Sequence, residues 1–371
     1  LIWFIDETLL PGEKEFLARY LRRPENYPEL SEQVSRYCFR TLRSQAKHYA
    51  KVTERVLLTV EYTPGKAERQ LYELLYAYIN QPEKRAFPEM NQYDLALRLL
   101  GLLGSSTAAI LQTIKGIVKR LQGLENAADE LSQWQEIQTA AESIPQDAKA
   151  GELLTVLKQG FSLMKKTGAK QKAVIFTESV ETQKMLQNLL SGRYRTLAYN
   201  GSADYSVIRQ FKEDGEVLIS TDNGAKGFNL EEAAFIIHYD LPYNTLKLEQ
   251  RIDRCHRLGQ ENDVLSVAFI DKNNFADVRK LELVNKRMLV TDGVFGITDD
   301  VLGGFTDDVK AAFPVIAQRL RPRAQIEQAY RQTLSTHEED NRQTVSAAED
   351  ILFTTFTKEL ADKVKINPKY V

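Results

Sequence analysis

Residues 216–260 read EVLISTDNGAKGFNLEEAAFIIHYDLPYNTLKLEQRIDRCHRLGQ, and two apolar runs in this stretch decide the fold. Glu216 to Thr221 is rich in Val, Leu and Ile and ends on a small-residue loop, Thr221-Asp222-Asn223-Gly224-Ala225-Lys226-Gly227. The second run, Phe235 to Asp240, is followed by Pro242 and Asn244. Both runs have the length of buried strands. Lys247 to Arg257 reads as a helix. At about 100° per residue, Gln250, Arg254 and Arg257 share one face, while Leu248, Ile252 and Cys255 share the other and can pack on a sheet. A charged helix face is usually only a solvated one. Here the adjacent loop argues for more, because glycines and a threonine at a strand's carboxyl end let backbone N–H groups approach a phosphate. Arginine suits bidentate contact with the same group.

The pattern extends outward on both sides. KAVIFT (172–177), YRTLAY (194–199) and LSVAFI (265–270) read as further strands, with helices over Leu153–Lys166 and 179–191 between or before them. Strands alternating with helices imply an α/β fold, a parallel sheet flanked by helices, with phosphate ligands gathered at the strands' carboxyl ends. Thr177 and Ser179, Asn200 and Gly201, and Thr221 to Gly227 all stand at such ends.

STDNGAKGFNL and QRIDRCHRLGQ, with the spacing between them, resemble the fifth and sixth motifs in the second ATPase lobe of Swi/Snf-type, superfamily-two, DNA-dependent ATPases. FTES and YNGS resemble two further motifs of that lobe. The resemblance implies a RecA-like lobe with added helical segments at both ends. Thr177, Ser179, Asn200, Gly201, Thr221, Asn223 and Lys226 would then hold sugar-phosphate backbone, a kind of contact that carries no base information. Local helix capping is the competing role for Thr177 and Ser179, and plain exposure for Lys226. Gly224, Gly227, Asn229 and Asp253 would lie on the nucleotide. Arg257 would be the arginine finger on the γ-phosphate of ATP, supported by Arg254 and Gln250. Mg²⁺ ligands and the phosphate loop would belong to lobe 1 of the same polypeptide, so this chain alone would hydrolyse no ATP. Double-stranded DNA is the implied partner, together with a nucleoprotein target. Strand-separating helicases, RNA-polymerase-recycling ATPases and a non-enzymatic docking module remain alternatives. One departure stands out: only ADYS separates Ser202 from Val207, where the family carries a helix's worth of residues.

The rest of the chain is consistent with an intracellular motor piece. It has 371 residues, enough for two or three domains, and 43% of them are hydrophobic. Lys+Arg number 49 against 51 Asp+Glu, so nucleic-acid contact must come from local clusters. Cys38 and Cys255 form no disulfide framework, which suits the cytoplasm. The four histidines show no metal-ligand spacing, so no metal site is expected. No apolar run reaches membrane-spanning length.

Residues 1–53 read as a connection from lobe 1. Asp6-Glu7 imitates a Mg²⁺-binding acidic pair, but no GxxxxGK[ST] loop accompanies it. Arg40 and Arg43 are either phosphate contacts or surface charges. Residues 54–150 read as a helical lead-in: an alternating strand RVLLTVEY, helices over Lys66–Ile79 and about 92–103 and 106–122, and a solvated helix or connector over 123–147, all without chemistry. Residues 151–275 are the lobe. Residues 276–371 read as a helical brace, with helices near 306–320 and 324–364 and a solvated basic cluster of Arg319, Arg321 and Arg323.

Overall fold

A computed structural model describes residues 9–21, 23–35, 37, 51, 53–201, 205–222, 229–257, 259–295 and 300–336. The chain divides into two compact units. One comprises 1–52, 285–299 and 324–371; the other, 53–284 and 300–323, holds the sheet.

Seven parallel strands form that sheet: β1 Arg55–Glu61, β2 Ala173–Thr177, β3 Thr196–Tyr199, β4 Val217–Thr221, β5 Phe235–His238, β6 Val264–Ile270 and β7 Gly304–Thr306. Their spatial order is β3-β4-β2-β5-β6-β1-β7. Every residue of β2, β4, β5 and β6 is buried. This is why these strands read as unbroken apolar runs: a parallel sheet covered on both faces has no solvent side to alternate with. The architecture is the expected α/β one, a parallel sheet flanked by helices.

Two strands lie where the sequence reading placed accessory segments. The run Arg55–Glu61 was expected to alternate, but its five central residues are all buried. It pairs with β6 from Arg55↔Val264 to Glu61↔Ile270 and is therefore a central strand. The short β7 from the expected brace extends the sheet beyond β1. Gly303, just before it, lies so close to the Leu57 carbonyl that a Cβ would collide with it at 2.1 Å.

Helices α1 Tyr27–Ser35, α2 Lys66–Ile79, α3 Gln92–Ser105, α4 Thr107–Leu121, α5 Ala128–Glu142, α6 Ala148–Thr167, α7 Val180–Leu190, α8 Ser206–Glu213, α9 Thr245–Cys255, α10 Phe275–Phe295, α11 Val309–Arg319 and α12 Arg323–Thr336 complete the described chain. Helices α2 to α5 pack around Leu71, Leu75, Leu99, Ile114 and Trp134 as their own core. The expected solvated helix or connector 123–147 is thus corrected in its middle, because α5 inserts Trp134, Ile137 and Ala141 into that core. Within the expected brace, α11 places Val309, Phe313 and Ile316 in the main core with α6 and the sheet. In the first unit, Tyr20, Tyr27, Leu30 and Val34 form a small cluster of their own. Described residues of the expected 324–364 helix end at Thr336, and Asp6, Glu7, Arg40 and Arg43 lie outside the described residues. No helix among the described residues is long and apolar enough to cross a membrane.

Helix α6 crosses the sheet at Gly160, where a Cβ would stand 2.2–2.9 Å from the Phe235 ring. Gly160→Ala should therefore lower stability by about 1–3 kcal/mol through overpacking, despite alanine's better helix propensity. Urea unfolding of the two proteins measures the difference; an equal or more stable variant contradicts this packing.

Candidate functional site

The carboxyl ends of β2, β4 and β5 meet where the chain switches direction across the sheet, since β2 lies between β4 and β5. In open α/β sheets this is where ligands bind. The residues there are organised around Asp240, two residues past β5 and 2% exposed. Its carboxylate accepts hydrogen bonds from the Thr177 hydroxyl (2.6 Å), the Ser105 hydroxyl (2.8 Å), the Glu178 amide (2.9 Å) and the Lys149 ammonium (3.1 Å). Burial alone would push its pKa up, but Lys149, then Lys280, then these hydrogen bonds outweigh it and hold the carboxyl at about 2.

The next shell is equally full. Lys149 also donates to the Gly104 carbonyl at 2.8 Å. Thr182 exchanges hydroxyl hydrogen bonds with Ser105 and Ser106, both 2.7 Å. Lys280 pairs with Glu178 at 3.5 Å; burial works against its charge, but Asp277, Glu178 and Asp240 raise its pKa overall. Arg251, 2% exposed, donates to the Asp240 carbonyl and to Asp222, both 2.7 Å, and Lys247 reaches Asp222 at 3.2 Å. Fully buried His238 stacks on Phe176 and bonds Ser266 at 3.1 Å. Burial, and then the Arg251 charge, keep its pKa well below normal, so it is neutral.

This geometry changes several expectations. Thr177 was expected on the nucleic-acid face, but it is fully buried with its hydroxyl on Asp240. Thr221 is buried as well. The Ser179 hydroxyl accepts from the Thr182 amide at 3.2 Å and caps α7, the competing role noted above. Asn200 is half-buried and Gly201 is exposed with φ of +88°, a left-handed conformation that suits glycine. Asn223, Gly224, Lys226 and Gly227 lie outside the described residues.

Helix α9 buries Leu248, Ile252 and Cys255, as its pattern implied. It stops at Cys255, however, so Arg257 does not share a helical face with Gln250 and Arg254; it stands two residues beyond the helix. The reason is local. His256 leaves helical geometry with ψ of 78° and donates from Nε2 to the Thr53 carbonyl, while its Nδ1 accepts from Arg55 Nε at 2.8 Å. Arg55 also pairs with Asp253 at 3.1 Å, so Asp253 faces β1's arginine. Gly259 follows with φ of +98°, and buried Gln260 donates to the carbonyls of Glu231, Ala233 and Cys255. Gln250 and Arg257 are exposed and Arg254 is half-buried; the Arg257 guanidinium rests on the side chain of exposed Asn229. Of the expected solvated cluster, Arg321 makes a bidentate pair with Asp263 and Arg323 pairs with Glu261. Among the described residues no group of three or more His, Cys, Asp or Glu is arranged to hold a metal ion.

Asp240, Lys149, Ser105, Lys280 and Arg251 escaped the sequence reading. The available signal was an acid at the carboxyl end of an apolar strand, which must find a cation if it is buried.

Residues 152–259 match the family described as the helicase conserved C-terminal domain. The chain is 33% identical over 204 residues to the uncharacterized ATP-dependent helicase YqhH of Bacillus subtilis (strain 168), covering 53% of this chain and 34% of that protein. It is 27% identical over 186 residues to the RNA polymerase-associated protein RapA of Vibrio vulnificus (strain YJ016), covering 48% of this chain and 17% of RapA. The chain thus spans about a third or less of these relatives. The crystal structure of the C-terminal part of the Fun30 ATPase domain aligns with a TM-score of 0.44 at 17% identity, over 65% of this chain and 97% of that one.

The depressed pKa of Asp240 fixes a sign. Its folded value, about 2, lies below the unfolded one, so its stabilisation is complete above about pH 4 and is lost as pH falls through 2. At neutral pH that contribution is about 2–3 kcal/mol. Asp240→Asn, which strands the Lys149 charge, should cost about 3–5 kcal/mol at pH 7, with the gap to the native protein narrowing below pH 4. Urea unfolding across that pH range tests this; a constant gap would contradict it.

Proposed function

We propose, on the premise that this chain contains the helicase C-terminal lobe of a Swi/Snf-like superfamily-two ATPase, that it is the second motor lobe of an ATP-driven translocase on double-stranded DNA. The observation that carries this reading is Arg257: exposed, outside α9, and held at its root by the His256–Thr53 and Gln260 contacts. A rigid base under an exposed guanidinium, held among the described residues only by the exposed Asn229 side chain, is what an arginine finger needs, because phosphoryl transfer is catalysed by positioning and charge stabilisation. Arg257 would leave Asn229 for the γ-phosphate of an ATP bound by an opposing lobe, with Arg254 and Gln250 lining the closed cleft. Asn229 would guide Arg257, Asp253 is held by Arg55 beside the cleft, and the 223–228 loop, with Gly224 and Gly227, would approach phosphate through its backbone.

The described residues offer no Mg²⁺ cluster, and no step here runs through that ion. Nucleic acid would be held by backbone amides near Glu178, by Asn200 and Gly201, and by Asn223 and Lys226. The buried hydroxyl of Thr177 supports a positioning role for that residue in place of contact. Closing the cleft would move this grip relative to the opposing lobe and so couple hydrolysis to a step.

In a polypeptide carrying both lobes, duplex DNA should stimulate ATP hydrolysis, and Arg257→Ala should reduce turnover by about 10³–10⁵ while ATP still binds. The 371-residue chain alone should show no turnover. DNA-stimulated hydrolysis by this chain, or full activity of Arg257→Ala, would sink the assignment. Absence of turnover by the native two-lobe protein on any nucleic acid would favour a docking role.

A further inference from the structure

The helical layer α2–α5 has a core of its own and contributes no residue to the expected motifs. It nevertheless reaches Asp240. Ser105, at the last position of α3, donates to the same Oδ2 that receives the Thr177 hydroxyl and the Glu178 amide. Ser105 and Ser106 together hold Thr182, the third residue of α7. Lys149, in the first turn of α6, bridges Asp240 to the Gly104 carbonyl, the residue before Ser105. All of these side chains are buried. The 177–182 turn is therefore fixed from inside, and from the helical layer, through every hydroxyl it has. Thr177 and Thr182 face Asp240 and Ser105, and Ser179 caps its own helix.

We infer that Ser105, Lys149 and Asp240 are positioning residues through which the helical layer sets the geometry of the 177–182 turn and hence the grip on nucleic acid. The functional half of this inference rests on the reading of the turn as part of a DNA site. A carboxylate oxygen shared by three donors couples them: removing one lets the acceptor shift toward the others and alters the amide it holds. The layer thereby becomes a place from which a partner could tighten or loosen the turn without touching DNA.

Two measurements on the 371-residue chain test this. The first is hydrogen exchange at the Glu178 amide by NMR. The second is affinity for a fluorescein-labelled 20-base-pair duplex across a salt series. Ser105→Ala should speed Glu178 exchange and weaken duplex binding about three- to tenfold. Lys149→Met should weaken it further while leaving the slope of log K against log salt unchanged, since no phosphate contact is lost; loss of a direct contact would reduce that slope by about one. Ile137→Val, a cavity in the same helical layer away from Asp240, controls for general loosening and should change neither quantity. Unchanged Glu178 exchange in Ser105→Ala overturns the positioning role, as does an equal change in Ile137→Val. A reduced slope in Lys149→Met assigns that lysine to contact and overturns it too. If exchange quickens but the native chain binds no duplex, the DNA reading fails and the mechanical coupling stands by itself.

Discussion

A single carboxylate inside a protein is costly unless every lone pair is answered, and Asp240 is answered from four directions. The donors come from three parts of the chain: the end of α3, the start of α6, and the junction where β2 ends at Thr177 and Glu178 follows. The requirement to satisfy one charge thus fixes where the helical layer meets the sheet and which way the β2–α7 turn faces. It also settles the fate of Thr177, whose hydroxyl points inward because the acid is there. Arg251 repeats the arrangement with opposite sign, tying the end of β5 to Asp222 beyond β4. The two buried charges together hold the three strand ends that bear the motif loops, and neither can be withdrawn without stranding a partner.

The similarity to helicase C-terminal domains and the sheet order rest on different supports. The match over 152–259 identifies the motif-bearing segment, whereas the seven-strand order comes from pairing partners far outside it. The placement of Arg257 is carried by local backbone geometry after α9. There the chain turns out of the helix at His256, and a glycine with positive φ and a three-carbonyl clamp by Gln260 return it to the sheet.

Most of the sheet was legible because its inner strands are apolar on both faces, so their runs stand out against helical periodicity. β1 was seen as a strand but read as half-exposed and peripheral, since nothing local reveals a partner 209 residues away, the separation of Glu54 from Asp263 at its foot. β7 is three residues long and has no apolar run to betray it. Trp134 was missed because α5 is otherwise polar and buries only three of its residues. In the site, the residue types of the loops were legible, but the direction of each side chain was not. Helical phase extended through Arg257 as if α9 continued, because the break depends on Thr53 and Arg55, which are distant in sequence. Arg251 escaped because its partners, Asp222 and the Asp240 carbonyl, are brought beside it only by the fold.

The pairing of β1 with β6 has a consequence for how the molecule is made. During synthesis from the amino end, β1 emerges ahead of β6 with five residues, four of them apolar, that need cover on both faces. Its hydrogen-bonding neighbour, the VLSVAFI segment, emerges only about 200 residues later. Until then β1 is an unpaired sticky edge whose nearest shelter is the self-contained helical layer that follows it directly. The same arithmetic applies to any attempt to cut the chain down. A piece bounded by the 152–259 match would end before β6, expose β5 as a bare edge and lose the three strands beyond it, β6, β1 and β7, so the unit of sequence similarity is smaller than the sheet.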